Sequence, residues 1–224
     1  MPAHRIRRAW LGGAGLLLCA WLTGCAAPQR TQDHSAFIAA DPASILVLPP
    51  LNDSPEIEAG ASVLSHATYP LAEAGYYVMP VALVHETFRQ NGLEIAADIH
   101  AVPAARLREI FGADAALYIT IDRYGTTYQV IDSATVVSAR ARLVDLRTGN
   151  LLWVGQASAS SKEGSSGAGG NLTSMLLTAL VNQIIQTSTE AAHGVAGVAT
   201  RRLLAAGGPD GLRFGPRSPL HGKP

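Results

Sequence analysis

Asp98 and His100 stand two residues apart and bring a carboxylate and an imidazole close together in the chain. On a β-strand this spacing would place both side chains on one face, where they could orient a base or bind a metal ion. The favoured alternative is a connecting loop whose polar side chains tie it down by hydrogen bonds. A metal site needs a third or fourth ligand, and His66, His85 and His193 are not spaced to supply one. We therefore predict no metal site.

Two further stretches contain residue types that occur in active sites. Ser65 and His66 are neighbours on a predicted helix, so their side chains point about 100° apart, and the G-x-S-x-G turn of a catalytic serine is missing. Residues 164–170 are rich in glycine and serine but lack the Lys-Ser or Lys-Thr that ends a phosphate-binding loop. We predict a mobile connector there, no cofactor and no catalytic residue, and hence a protein that is not an enzyme.

Cys25 is the residue to which the sequence assigns a definite chemistry. It follows a basic start and an apolar run over residues 9–21, and Leu22, Thr23 and Gly24 come directly before it. This order is typical of a bacterial lipoprotein signal, with cleavage before the cysteine and acylation of its sulfur and amine. An ordinary signal peptide with an incidental cysteine is the alternative. Because Ala26 is not aspartate, the outer membrane is the expected location of the anchor.

Composition limits the remaining function classes. The chain has 224 residues with 17 basic and 17 acidic side chains, so removal of the three leader arginines leaves 14 against 17, a net charge of −3. This charge, with no basic cluster interleaved with aromatics, argues against nucleic-acid binding. Of the two cysteines, one lies in the leader. The mature chain therefore has no disulfide, thiolate metal site or cysteine nucleophile.

Two sets of residues are candidates for binding. Asn52, Asp53 and Ser54 follow the first predicted strand, at the end where open α/β sheets bind ligands, and Asp98 and His100 are grouped with them as a possible cleft. The tyrosines form the other set, since a large ring with a polar tip suits a contact surface; their partial burial under helices is the alternative. The expected contact surface comprises Tyr118, Asp122, Tyr124 and Tyr128.

The elements that must position these residues follow from the apolar patterning. An apolar run bounded by prolines, Ser44–Pro50, predicts a buried parallel strand. A helix with a kink or break at Pro70, a second strand and two short helices follow, with residues 95–102 irregular. Next come a strand from Ala115 and a hairpin whose outer face exposes Arg140 and Arg142 to water. The last predicted element is a helix from Leu172, broken or kinked at Gly194 and Gly197. The fold class is thus α/β, with a mixed sheet whose first strands are parallel and whose later strands form an antiparallel meander.

Domain limits follow from the same patterning. We predict a signal peptide over residues 1–24, the lipidated cysteine and a flexible tether over 25–43, one α/β domain over 44–206, and a disordered tail over 207–224.

Six stretches of the chain occur together in one known family: Val47–Pro50, Leu71–Val81, Gln90–Gly92, Ala97–His100, Phe111–Tyr118 and Leu143–Gly149. In combination they resemble a family of bacterial lipoproteins that includes a surface-antigen vaccine candidate. The resemblance implies a fold similar to the N-terminal domain of TolB and to the periplasmic part of the curli secretion lipoprotein CsgG. It also implies a CsgG-like partner and offers no catalytic residues to carry over.

The expected function is that of a periplasm-facing lipoprotein of the outer membrane, with exposure on the cell surface as an alternative. It would act through contacts with envelope proteins or with its own copies, in envelope assembly or secretion. Binding of a small molecule or glycan is the alternative, and hydrolysis is the least favoured.

Overall fold

The computed structural model describes residues 32–128, 133–163 and 188–223. One compact unit runs from Gln32 to Pro224. Its helices are α1 (Ser35–Ala40), α2 (Ala59–Glu73), α3 (Val81–Gln90), α4 (Ala96–His100), α5 (Ala104–Phe111) and α6 (Ser188–Leu203). Its strands are β1 (Ser44–Val47), β2 (Leu51–Asn52), β3 (Tyr77–Val78), β4 (Ala115–Tyr128), β5 (Ser133–Asp145) and β6 (Leu151–Ser160).

The strands form a six-stranded mixed sheet in the order β3-β1-β4-β5-β6, with β2 paired to β4 beyond the end of β1. The strands β1, β2 and β3 are parallel to their neighbours, whereas β4, β5 and β6 form an antiparallel meander. This is the predicted fold class. The turn of the predicted hairpin lies between β5 and β6. It contains Gly149 at φ +75°, a conformation that glycine adopts readily.

Each face of the sheet has its own core. Odd-numbered residues of β4 and β5, such as Leu117 and Leu143, pack against α2 and α6. Even-numbered residues such as Ala116 and Val144 share a second cluster with residues of α3, α4 and α5. Arg140 and Arg142 lie on the same face of β5 as Val144, and both are exposed, as predicted.

The structure corrects three details of the predicted helices. The first predicted helix, α2, was expected to kink or break at Pro70; it does not break there, because proline removes only one backbone hydrogen bond and buried residues anchor the helix on both sides. The final helix, α6, was expected to break or kink at Gly194 and Gly197; it continues through both, since packing against α2 outweighs the low helix propensity of glycine. The stretch predicted to be irregular contains α4. The predicted start of the last helix at Leu172 and the connector over residues 164–170 lie outside the described residues.

The predicted domain limits were too narrow, because both flanks pack onto the sheet. Phe37 of α1 is buried in the core, although it was placed in the tether. The C-terminal segment, defined here as residues 207–223, was expected to be disordered, yet its Leu212 is fully buried. Asp210 accepts a hydrogen bond at its carbonyl oxygen from the indole of the buried Trp153, 3.0 Å away.

Glycines make the docking of the C-terminal segment possible. Gly75 has φ +95°, and a Cβ there would lie 2.4 Å from the backbone nitrogen of Ser218. Gly215 donates its N–H to the carbonyl oxygen of Ala74 at 2.8 Å. The buried hydroxyl of Tyr76 also donates to the carbonyl oxygen of Arg213. The segment is therefore held by backbone contacts that composition cannot reveal.

Candidate binding groove between helices α2 and α6

The helices α2 and α6 border a groove of about 990 Å³ on one side of the sheet. Ser62 of α2 meets His193 of α6, and His66, one turn further along α2, meets Gly197, one turn further along α6. Because the contacting pairs advance together, the two helices run in the same direction. The groove is lined by Glu58, Ala61, Ser62, Ser65, His66, Tyr69, Tyr124, His193, Gly194, Gly197 and Arg201.

A chain of hydrogen bonds joins the sheet to both helices. The hydroxyl of Tyr124 donates to Ser62 Oγ at 2.9 Å, and Ser62 Oγ lies 2.8 Å from His193 Nδ1. Ser62 Oγ thus accepts the hydrogen bond of Tyr124 and forms a second hydrogen bond with the imidazole of His193. Burial raises the pKa of Tyr124 above its ordinary value, so the phenol is neutral and able to donate.

A β-bulge places Tyr124 in this groove. The pairing of β4 with β5 shifts between Ile121 and Arg123, which leaves Asp122 as the extra residue. A bulge reverses the alternation of side chains beyond it. Tyr124 therefore packs on the same side of the sheet as Ile121 rather than with Asp122.

The rings of the two histidines in the groove pack against each other. The ring centroids of His66 and His193 are 4.3 Å apart with the planes tilted by 38°, and His66 Nε2 donates to the carbonyl oxygen of His193 at 3.2 Å. A Cβ at Gly197 would lie 3.1 Å from the ring of His66, so glycine leaves room for this contact. Burial, together with the neighbouring His193, lowers the pKa of His66 below its ordinary value. At neutral pH the ring of His66 is therefore uncharged.

The contact of Ser62 with His193 resembles part of a nucleophilic dyad. Ser62 is only 8% exposed, however, and its oxygen already accepts a hydrogen bond from the hydroxyl of Tyr124, which reduces its nucleophilicity. A catalytic pair also needs a third group that orients the base. Among the described residues, no carboxylate is in contact with His193. The arrangement holds α2, α6 and β4 together.

The predicted strand-end cleft is a bonded turn. Asn52 donates from its side chain to the carbonyl oxygen of Glu56 at 2.7 Å and accepts from both the backbone and the hydroxyl of Ser54. Asp53 faces Arg140, with 3.4 Å between its carboxylate and the guanidinium. These contacts secure the loop after β2.

Asp98 and His100 do not share a face, because α4 makes that stretch helical and a spacing of two then separates the side chains widely. His100 Nε2 donates to the carbonyl oxygen of Pro49 at 2.8 Å, and its ring meets the edge of Tyr118. Burial lowers the pKa of His100. His100 therefore has the hydrogen-bonding role that the sequence favoured.

The predicted contact surface is divided by the bulge. Tyr118 is 6% exposed, and the guanidinium of Arg142 lies over its ring at 4.2 Å. Asp122 forms an ion pair with Arg140. Of the three residues in this set whose side chains the structure describes, only Tyr124 lines the groove. Tyr128 is the last residue of β4, and its side chain lies outside the described part of the structure.

Two general features of the described residues bear on the site. Across residues 32–128, 133–163 and 188–223, no group of three or more histidine, cysteine, aspartate or glutamate side chains could hold a metal ion. The helices within those same ranges are too short or too polar to cross a membrane. Cys25 and the leader lie outside the described residues.

Comparison with known proteins identifies the family. The family model described as "Putative lipoprotein GNA1162-like" matches residues 32–217. The chain belongs to the GNA1162-like lipoprotein family. The NMB1124/NMB1162 lipoprotein of Neisseria meningitidis serogroup B (strain ATCC BAA-335 / MC58) is 48% identical over 204 residues, which cover 91% of this chain and 94% of the relative. This agrees with the family resemblance predicted from the sequence.

Solved structures include the same family. The crystal structure of lipoprotein GNA1162 from Neisseria meningitidis is 55% identical with a TM-score of 0.53, and the match covers 65% of this chain and 100% of that one. The PelC dodecamer from Paraburkholderia phytofirmans is 14% identical with a TM-score of 0.41, covering 73% of this chain and 86% of that one. The match of the GNA1162-like model includes α1 and most of the C-terminal segment.

Sequence reasoning missed the groove because its two walls are 131 residues apart at the contact of Ser62 with His193. A signal was present in the spacing. Ser62 and His66 stand four apart on one predicted helix, and His193 and Gly197 stand four apart on another. Polar and small residues at that spacing form a stripe on a helix face, which marks a place where two helices approach closely.

Proposed function

We propose that this GNA1162-like lipoprotein is anchored to the outer membrane, faces the periplasm and acts through contacts with proteins in envelope assembly or secretion. The observation that carries the proposal is the groove of about 990 Å³ between α2 and α6. Its lining mixes aromatic, charged and small residues, which suits recognition of another molecule. Exposure on the cell surface is the alternative orientation.

The proposed anchor is lipid on Cys25. It is supported by the lipoprotein signal that ends at this cysteine and by membership of a lipoprotein family. Ala26 in place of aspartate favours the outer membrane. Residues 26–31 separate the cysteine from the compact unit that begins at Gln32. Seven residue steps span at most about 25 Å, so the protein would work close to the membrane surface.

A non-catalytic role is supported by the chemistry of the groove. The hydroxyl of Ser62 is engaged by both Tyr124 and His193, so its polar atoms serve packing. Tyr69, by contrast, is 67% exposed beside the groove. An exposed tyrosine next to a concave surface is typical of protein-binding sites. A CsgG-like envelope protein, implied by the family resemblance, or a second copy of the chain is the proposed partner.

Binding of a small molecule or glycan is a second candidate function. Tyr69 and Tyr124 offer ring surfaces, and Arg201 and Glu58 offer hydrogen bonds, in a groove of suitable volume. For this candidate, the ligand would bind in the groove and not at the strand end around Asn52, where the sequence had placed it.

The test is chemical crosslinking in intact cells that express the lipidated protein at its native level, followed by mass spectrometry. Reproducible crosslinks to one envelope protein, or between copies, are the expected result. The matched control is Cys25→Ala, which should move the protein out of the membrane fraction and reduce those crosslinks. Efficient crosslinker entry with only uncrosslinked chain recovered would refute the proposed function, and a ligand retained through purification would favour the second candidate.

A further inference from the structure

The groove between α2 and α6 carries opposite charges at its two ends. Glu58 stands directly before α2, four residues ahead of Ser62, and it acts electrostatically on Tyr124. Arg201 lies in the last turn of α6, eight residues beyond His193, and it acts on His66. At 1.5 Å per helical residue the two charges are separated by roughly 18 Å along the groove. An extended chain covers that distance with about five residues.

The two histidines stand at the middle of the groove. His66 Nε2 donates to the backbone carbonyl oxygen of His193, so the uncharged ring of His66 keeps Nδ1 as a hydrogen-bond acceptor. The N–H of a peptide unit is a donor that this nitrogen can accept.

Small residues lie along the same stretch of groove. Ala61, Gly194 and Gly197 are among the lining residues, and side chains of this size allow a bound backbone to approach closely. At the far end the exposed ring of Tyr69 provides a contact surface next to Arg201.

We propose that the groove between α2 and α6 binds an extended segment of about five residues from a partner protein, with a basic side chain at Glu58 and an acidic side chain at Arg201. The assignment rests on the proposed function, protein contact in the envelope, and specifies the chemistry of the contact. The opposite charges at the two ends of the groove favour a charged peptide over an uncharged glycan.

The first experiment is selection from displayed peptides of randomised sequence on the purified full chain, with affinities of the recovered peptides measured by calorimetry. The recovered peptides should carry one basic and one acidic residue about five positions apart, the spacing that spans roughly 18 Å in an extended chain. Arg201→Glu and Glu58→Lys should each weaken their binding by about fivefold, as expected for a partly exposed ion pair. The matched controls are Arg123→Glu and Glu73→Lys, exposed positions outside the groove, which should leave affinity unchanged.

Reselection on the charge variants sharpens the test. Peptides recovered on Arg201→Glu should carry basic residues at both ends, because both ends of that groove are acidic. Recovery of no peptide above background, of peptides without the charge pair, or of the same peptides on every variant would overturn the assignment. Binding of uncharged glycans that Arg201→Glu abolishes would assign the groove to sugars and overturn it as well.

A photoreactive residue in intact cells separates this inference from the proposed function. Tyr69 and Leu83 are exposed to 67% and 66%, but only Tyr69 lines the groove. Adducts with another protein are expected at Tyr69 and not at Leu83, and Arg201→Glu should reduce them. Adducts only within the same chain would overturn the assignment. If the yield of partner adducts is unchanged in Arg201→Glu, the peptide assignment is wrong and the proposed function still stands.

Discussion

Replacing Gly75 by alanine should release the C-terminal segment from the end of α2. Gly75 has φ +95°, and an added Cβ would lie 2.4 Å from Ser218 N and 2.7 Å from Ser218 Cβ. Gly92 is the matched control, since its φ is +76° and nothing lies within 4 Å of an added Cβ. Both variants impose a left-handed alanine, but only Gly75→Ala also collides with backbone.

The two free energies of unfolding should therefore differ. A left-handed alanine costs about 1–2 kcal/mol, offset by about 0.4–1 kcal/mol from the restricted unfolded chain, so Gly92→Ala should lose roughly 1 kcal/mol. Gly75→Ala should also displace the hydrogen bonds from Gly215 N to Ala74 O, 2.8 Å, and from Arg217 N to Gly75 O, 3.1 Å. Each contributes about 1 kcal/mol, which brings the total loss to roughly 3 kcal/mol.

Thermal unfolding followed by circular dichroism would measure the difference. For a domain of this size about 1 kcal/mol corresponds to roughly 2–4 °C in Tm. We expect Gly92→Ala to lower Tm by roughly 3 °C and Gly75→Ala by roughly 9 °C. Limited proteolysis should cut within residues 207–223 only in Gly75→Ala. Equal losses in the two variants, with no new cleavage, would show that the segment does not dock against Gly75.

Two further predictions concern the buried polar groups. Folding depresses the pKa values of His66 and His100, in both cases mainly through burial, so the unfolded chain binds protons more readily below the ordinary value of 6.5. The free energy of unfolding should consequently fall as pH drops through 6.5. The double variant His66→Gln/His100→Gln should lose less of it between about pH 7.5 and pH 5.5. The same loss of unfolding free energy in both proteins, measured by urea titration at the two pH values, would contradict this. Tyr124→Phe removes the donor to Ser62 and should cost about 1 kcal/mol, whereas Tyr69→Phe, as an exposed control, should cost almost nothing. An unchanged urea midpoint for Tyr124→Phe would mean that the hydrogen bond adds no net stability.

The architecture was predictable because most of its signals are local. The buried apolar run at Ser44 indicated a parallel strand, and the alternation in β5 indicated a sheet with one exposed face. Gly112 ends α5 at φ +67°, a left-handed conformation that glycine adopts readily at the end of a helix. Each of these features depends on neighbouring residues, so periodicity and turn chemistry were sufficient to identify it.

The candidate site was not predictable in the same way. Tyr124 was chosen as a contact residue with Tyr118 and Asp122, but the bulge after Ile121 places it on the other side of the sheet. Gly194 and Gly197 were expected to break or kink the last helix, whereas the helix continues through both and Gly197 makes room for His66. Low propensity is a local cost, and burial of a helix face can exceed it.

By itself the sequence determined the lipoprotein family, the mixed α/β sheet and the expected lipidation of Cys25. Each follows from patterns a few residues long or from similarity along the chain. Only the tertiary structure decided that His193 meets Ser62 and that the C-terminal segment packs against Gly75. Those contacts join residues more than 100 positions apart, and their free energy depends on burial and close approach that exist only once the sheet has formed.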